Sequence, residues 1–155
     1  MKFFSSSATN KVDAKGRVSI PAPFRKVLAM EDSPLLFLMP DVRDRPIIEG
    51  FGEAHFTKLA DALDQLNPYS EEYDALAGLT VARTVQLPLD STGRIVIPEE
   101  LRALTGITDE ALFVGRVRTF QIWHPETYHE IQASQRAAAA EHVTKLPWGK
   151  RNDDV

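Results

Sequence analysis

The chain has 155 residues, 43% of them apolar and none of them cysteine, which is enough for one ordinary core and excludes disulfides, thiolate metal sites and cysteine nucleophiles. A formal net charge of -4 and a pI near 5.6 exclude a chain that is basic throughout, as a non-specific nucleic-acid coat would be. No run of about 18 apolar residues occurs, so no membrane span is expected; MKFFSSSATN lacks a signal-peptide core, and the want of cysteine suits a reducing cytoplasm.

The first readable phrase is DAKGRVSIPAPFR, residues 13 to 25. Asp13 suits the first position of a tight turn, where its carboxylate accepts from backbone N–H groups two residues on. Gly16 supplies the positive φ that closes a hairpin loop of three or four residues. Val12 before the turn and Val18 and Ile20 after it alternate with polar positions, as in a half-buried strand. Pro21 and Pro23 stop that strand and preset the first turn of a short helix. Between residues 11 and 26, five cations (Lys11, Lys15, Arg17, Arg25 and Lys26) face one carboxylate, Asp13. This is a basic island in an acidic chain.

Residues 35 to 39 are apolar enough for a strand. Residues 54 to 66 place Phe56, Leu59, Leu63 and Leu66 on one helical face, and Asn67-Pro68 ends that helix. Ser70 is placed to cap a second helix, with Glu71 and Glu72 in its first turn and Tyr73, Leu76 and Ala77 as its apolar side. A variant of the opening phrase then returns at residues 90 to 102 as DSTGRIVIPEELR. Asp, Gly, Arg, Ile, Pro and Arg recur at a constant spacing of 77, six identities in thirteen positions without a gap. Val85, Leu87 and Leu89 lead in, Ile95 and Ile97 lead out, Pro98 stops the strand and Gly106 ends the following helix. Charge does not recur. Lys11, Lys15 and Lys26 become Pro88, Thr92 and Ala103, and residues 88 to 103 set Arg94 and Arg102 against Asp90, Glu99 and Glu100.

A looser match aligns Ile48, Phe56 and Leu59 with Phe120, Tyr128 and Ile131 at a spacing of 72. Residues 111 to 117 read as a strand, and Pro125 opens a helix running to about Leu146. The expected organisation is therefore an α+β chain of two repeats, 5–80 with a helical hairpin and 81–146, forming one compact unit, followed by a flexible tail at 147–155.

Enzyme chemistry finds no foothold. His124 and His129 are five residues apart rather than the three or four that would align two ligands on a helix face, so no metal is expected. Gly149-Lys150 lacks the flanking residues of a phosphate loop, no G-x-S-x-G occurs, and Glu71-Glu72 and Glu99-Glu100 are adjacent pairs that point to different sides of a helix. No catalytic residue and no cofactor are predicted. That leaves the repeated Asp-x-x-Gly-Arg turn. Asp13, Gly16, Asp90 and Gly93 are read as shaping the turns themselves. The arginines are read as functional: a ribbon can enter the major groove, where an arginine bonds guanine bidentately while lysines hold phosphates.

The two phrases resemble the swapped-hairpin barrel of AbrB-like transition-state regulators and antitoxins, and two copies in one chain of this length resemble the MraZ family, over about residues 5 to 145. The resemblance implies an intramolecular double swapped-hairpin β-barrel flanked by helices, with a pseudo-twofold repeat; single-copy relatives would need a homodimer to build it. It further implies a bacterial DNA-binding transcriptional regulator of a cell-division and cell-wall gene cluster. Such a protein would form a ring-shaped homo-oligomer on the nucleoid and recognise repeated boxes in double-stranded DNA upstream of its own gene, with no membrane or small-molecule partner. The family's DNA-facing positions fall on Lys11, Lys15, Arg17, Arg25, Lys26, Arg94 and Arg102. Arg17 is expected to lead and Arg94 to assist. Rival readings are an antitoxin with a toxin partner, and a ring-forming scaffold whose arginines only bridge turns.

Overall fold

The computed structural model describes residues 3–32 and 35–148, ordered as β1 (Ser7–Lys11), β2 (Arg17–Ser19), α1 (Ala22–Ala29), β3 (Leu36–Pro40), β4 (Ile48–Phe51), α2 (Glu53–Asp64), α3 (Glu71–Leu79), β5 (Val85–Leu87), β6 (Arg94–Val96), α4 (Glu99–Thr105), β7 (Glu110–Gly115), β8 (Phe120–Trp123) and α5 (Pro125–His142). Two units divide near Pro125. The second is α5, alanine-rich and without a buried residue, followed by a short 3-10 turn. Most of the tail expected at 147–155, including the Gly149-Lys150 pair, lies outside the described residues.

Helix ends follow local chemistry. Ser70 Oγ accepts the Tyr73 N–H at 3.1 Å to start α3, and Gly106 ends α4 at φ +76. Pro21 and Pro98 precede α1 and α4 with extended ψ of 138 and 142, so each proline ends a strand and aims a helix.

Strand pairing at the hairpins runs between the two copies rather than within each. In the first copy β1 and β2 share no ladder, only the bridge Val12↔Val18 and an Asn10 Nδ2–H that donates to Ser19 O at 2.7 Å. Instead β2 crosses to β6, pairing Arg17↔Val96, Val18↔Ile95 and Ser19↔Arg94, while Ile20 N–H donates to Gly93 O at 3.0 Å and Ile97 N–H to Gly16 O at 2.9 Å. The prolines limit β2 and β6 to three residues each, and the inward side chains Val18 and Ile95 within them and Ile20 and Ile97 just after them are all at most 2% exposed. Crossing lets these four side chains cover one core together. Shifted by 77, this register maps onto itself about Val18↔Ile95.

The incoming strands go elsewhere: β1 pairs with β7 and β5 with β3, at the two edges of a six-stranded antiparallel sheet ordered β1-β7-β8-β4-β3-β5. Its central pairs, Ile48↔Ile122, Glu49↔Gln121 and Gly50↔Phe120, map onto themselves at the spacing of 72. Both spacings read from the sequence are thus registers of pairing. The α+β class holds. The described strands form no closed barrel: the β2–β6 ribbon is a separate two-stranded sheet that packs on the larger one through a shared core.

The main core holds the four ribbon side chains, the inward face of the sheet (Leu36, Leu38, Phe113, Ile122) and a ring cluster of Phe4, Phe24 and Phe120 with centroids 5.1–5.4 Å apart. On the other sheet face α2 docks Phe56 and Leu59 against Phe37, Met39 and Phe51, with Phe37 and Phe56 stacked at 4.7 Å. α3 is left less covered, with Leu76 and Leu79 exposed.

Candidate nucleic-acid interface

The two hairpin tips are built by the same bonds. Asp13 Oδ1 accepts the N–H groups of Lys15 and Arg17, each at 2.9 Å, and Oδ2 accepts Arg17 Nε–H at 2.7 Å. Asp90 Oδ1 accepts Thr92 and Arg94 N–H, each at 2.9 Å, and Oδ2 accepts Arg94 Nε–H at 2.9 Å. Gly16 and Gly93 close the turns at φ +85 and +78, with N–H groups donating to the aspartate carbonyls. Hydrogen bonds to an ionised carboxylate favour its charged form. The Arg17 N–H foremost, then its guanidinium, holds Asp13 at about 2; the Arg94 N–H and then the Thr92 hydroxyl, 2.8 Å away, hold Asp90 lower still.

Each tip also carries an arginine from the opposite half. Arg25, on α1, packs over Gly93 and lies 3.5 Å from Thr92 O; Arg102, on α4, packs over Gly16 and donates from Nε to Ile97 O at 3.0 Å. A Cβ on Gly16 would come within 2.8 Å of the Arg102 guanidinium. The glycines are therefore needed twice, for positive φ and for the crossing side chain. Sequence reasoning found only the first need, because the partner is remote in the chain.

The crossing also redistributes charge. The first tip has Lys11, Lys15, Arg17 and Arg102 around Asp13, and the second has Arg94 and Arg25 around Asp90. A shallow depression of about 330 Å3 on the ribbon brings Lys11, Arg17 and Arg94 together beside Ser19. Lys15 is exposed at the first tip. Lys26 lies apart from these, lining a different depression with Phe3 and Met30. Arg17 and Arg94 are each 40% exposed, and beyond Nε their guanidinium groups have no hydrogen-bond partner among the described residues. Each therefore presents a forked pair of donors with a fixed root, the geometry that suits a phosphate or a guanine edge.

A third turn of this kind was not singled out from the sequence. In the β3–β4 connection Asp41 Oδ2 accepts Arg43 and Arg45 N–H at 3.0 and 3.1 Å, and Arg45 binds the carboxylate through both Nε and Nη2. Asp44, at φ +62, stands where the hairpins have glycine. The spacing Asp-x-x-x-Arg was the available signal; the missing Gly and Ile-Pro hid it. Here Asp41 is 4% exposed, held below the usual carboxylate range by Arg45 against the opposing effect of burial, which is the largest single influence. Arg45 spends two nitrogens on the turn, whereas Arg17 and Arg94 spend one.

Comparison with known proteins adds the family. Residues 81–146 match the model described as "MraZ protein, putative antitoxin-like". A protein of Gluconobacter oxydans named transcriptional regulator MraZ is 43% identical over 142 residues, 90% of this chain and 86% of that protein. The proteins of the same name from Parvibaculum lavamentivorans and Rickettsia bellii are each 38% identical, over 94% and 90% of this chain and 91% and 92% of theirs.

Proposed function

The chain belongs to the MraZ family, and from that premise we propose that it is a sequence-specific DNA-binding transcriptional regulator and not an enzyme. The two repeats, 5–80 and 81–146, act through their crossed hairpins as one swapped-hairpin unit. Arg17 reads a base edge from the ribbon and Arg94 assists; Lys11 and Lys15 hold phosphates; Arg25 and Arg102 add positive charge around the tips, and Lys26 adds it beyond them. The observation that carries this reading is the shared depression in which Lys11, Arg17 and Arg94 meet, with guanidinium donors left over from turn formation.

One such surface neutralises few phosphates, so its affinity should be low, with a salt slope of only about -0.9 for each phosphate held. A ring-shaped homo-oligomer overcomes this by presenting several surfaces to tandem boxes upstream of its own gene, on the nucleoid, at high effective concentration. The test is a gel shift on that upstream DNA. Arg17→Ala should remove the shift while far-UV circular dichroism and oligomer size stay unchanged; unaltered binding would sink the assignment. Arg45 gives a specific reason to keep the scaffold reading as second, since it shows the same turn bridged by an arginine with no free fork. Intact oligomers that bind no DNA at any salt concentration would favour it.

A further inference from the structure

α2 has a socket beside its first turn and a knob beyond its last. The socket is a groove of about 260 Å3 whose floor is Phe4 and Val27 and whose wall is Met30, 57% exposed. Lys58 and Arg118 stand on its rim, and neither is paired with a carboxylate among the described residues. Its own carboxylate, Glu31, is engaged: Oε1 accepts the Ala54 N–H at 2.7 Å, capping α2 in place of an N-cap side chain, and the group fills the space beside Gly52. The mouth is therefore apolar with a positive rim. Val117, next to Arg118, is 56% exposed at φ +74 and pinned to Phe4 by N–H···O bonds of 2.8 and 2.9 Å. A β-branched residue is strained in that region, and more than half of its surface is open to solvent.

The knob is Tyr69, 95% exposed in the α2–α3 connection. Its backbone is fixed: Asn67 Oδ1 accepts the Tyr69 N–H at 2.9 Å, and Asn67 O accepts from both Ser70 N–H and Ser70 Oγ–H at 3.0 and 2.6 Å. Behind it follow Glu71 and Glu72, exposed and unpaired among the described residues, in the first turn of α3. An aromatic ring on a rigid turn docks at little entropic cost, and tyrosine is a frequent anchor of interfaces. The 12 residues of α2 hold knob and socket about 18 Å apart at opposite ends of one rod, so a chain does not fill its own socket.

We propose that Tyr69 of one copy seats in the Phe4–Val27–Met30 groove of the next, with Glu71 and Glu72 against Lys58 and Arg118. The contact is head-to-tail, so repetition produces a ring when the rotation closes. It rests on the homo-oligomer reading above and assigns the surfaces that build it.

Sedimentation velocity tests it with two variants at exposed positions, each checked by circular dichroism: a knob variant, Tyr69→Ala with Glu71→Lys and Glu72→Lys, and a socket variant, Lys58→Glu with Arg118→Glu. Each alone should be monomeric where the wild type is larger. Their equimolar mixture should give dimers and nothing larger, because one intact knob meets one intact socket. Variants that keep the wild-type size, or a mixture that stays monomeric, overturn the contact while leaving the homo-oligomer reading standing. A wild type that is monomeric at every concentration overturns both, and the Arg17→Ala gel shift is decided independently of either.

Discussion

The turns at Asp13 and Asp90 accept equivalent backbone N–H groups at the same 2.9 Å and root the following arginine through the same nitrogen, yet Lys15 beside the first is Thr92 beside the second. The turn bonds and buried side chains that both tips share serve the fold, which needs them twice; Lys15, which only the first tip has, is available for a partner. On that division the isoleucines belong to the fold. Ile20→Ala and Ile97→Ala each remove a side chain with no exposed surface and should each cost about 2–5 kcal/mol in urea unfolding, with the two losses within about 2 kcal/mol of each other. A larger gap would show that the crossed ribbon depends on one copy more than the other.

The arginines come next in size. Arg17→Ala should weaken binding to upstream DNA by about 1–3 kcal/mol, enough to empty a gel-shift band near its midpoint, and Arg94→Ala by less. Equal losses would break the comparison. They would mean that the depression shared by Lys11, Arg17 and Arg94 acts as one symmetric site and that the surrounding charge is immaterial.

How much of this was legible in the sequence depended on range. The Asp13 and Asp90 turns, the Ser70 cap and the Gly106 stop are local bargains between a side chain and its own backbone, and a short phrase displays them. Strand partnership is not local. The residues flanking Asp13 look the same whether β2 returns to β1 or crosses to β6; four buried side chains and two prolines decide it, and half of these lie 77 residues away. Arg25 and Arg102 were legible as a repeated pair, but their seats over Gly93 and Gly16 follow only from the crossing. The five cations that cluster between residues 11 and 26 are likewise parted by it: Lys26 faces Phe3 and Met30, and Arg25 serves the opposite tip.

A smaller effect isolates lysine from arginine. Lys15→Thr should flatten the dependence of log K on log salt by about 0.9, the loss of one phosphate contact, and Thr92→Lys should steepen it by as much if the second tip also approaches the backbone. Titration of fluorescent DNA at several salt concentrations measures both. A slope unmoved by Thr92→Lys would place the second tip away from the phosphates.

The smallest effect lies in acid and concerns Thr92 itself. Both carboxyls are depressed below the unfolded value of about 3.9, so whatever the two turns contribute is fully present above that pH and is lost as pH falls through the folded values. That pH is about 2 for Asp13 and lower for Asp90, which has the Thr92 hydroxyl as an extra donor. Amide NMR should therefore show the Lys15 and Arg17 N–H signals following Asp13 protonation near pH 2 while the Thr92 and Arg94 N–H signals still hold, and Thr92→Ala should bring the second turn toward the first. A second turn that opened first would refute the ordering. If it holds, the exchange of Lys15 for Thr92 has a physical meaning: one tip keeps a cation free for a partner, and the other uses the same position to tighten its own turn.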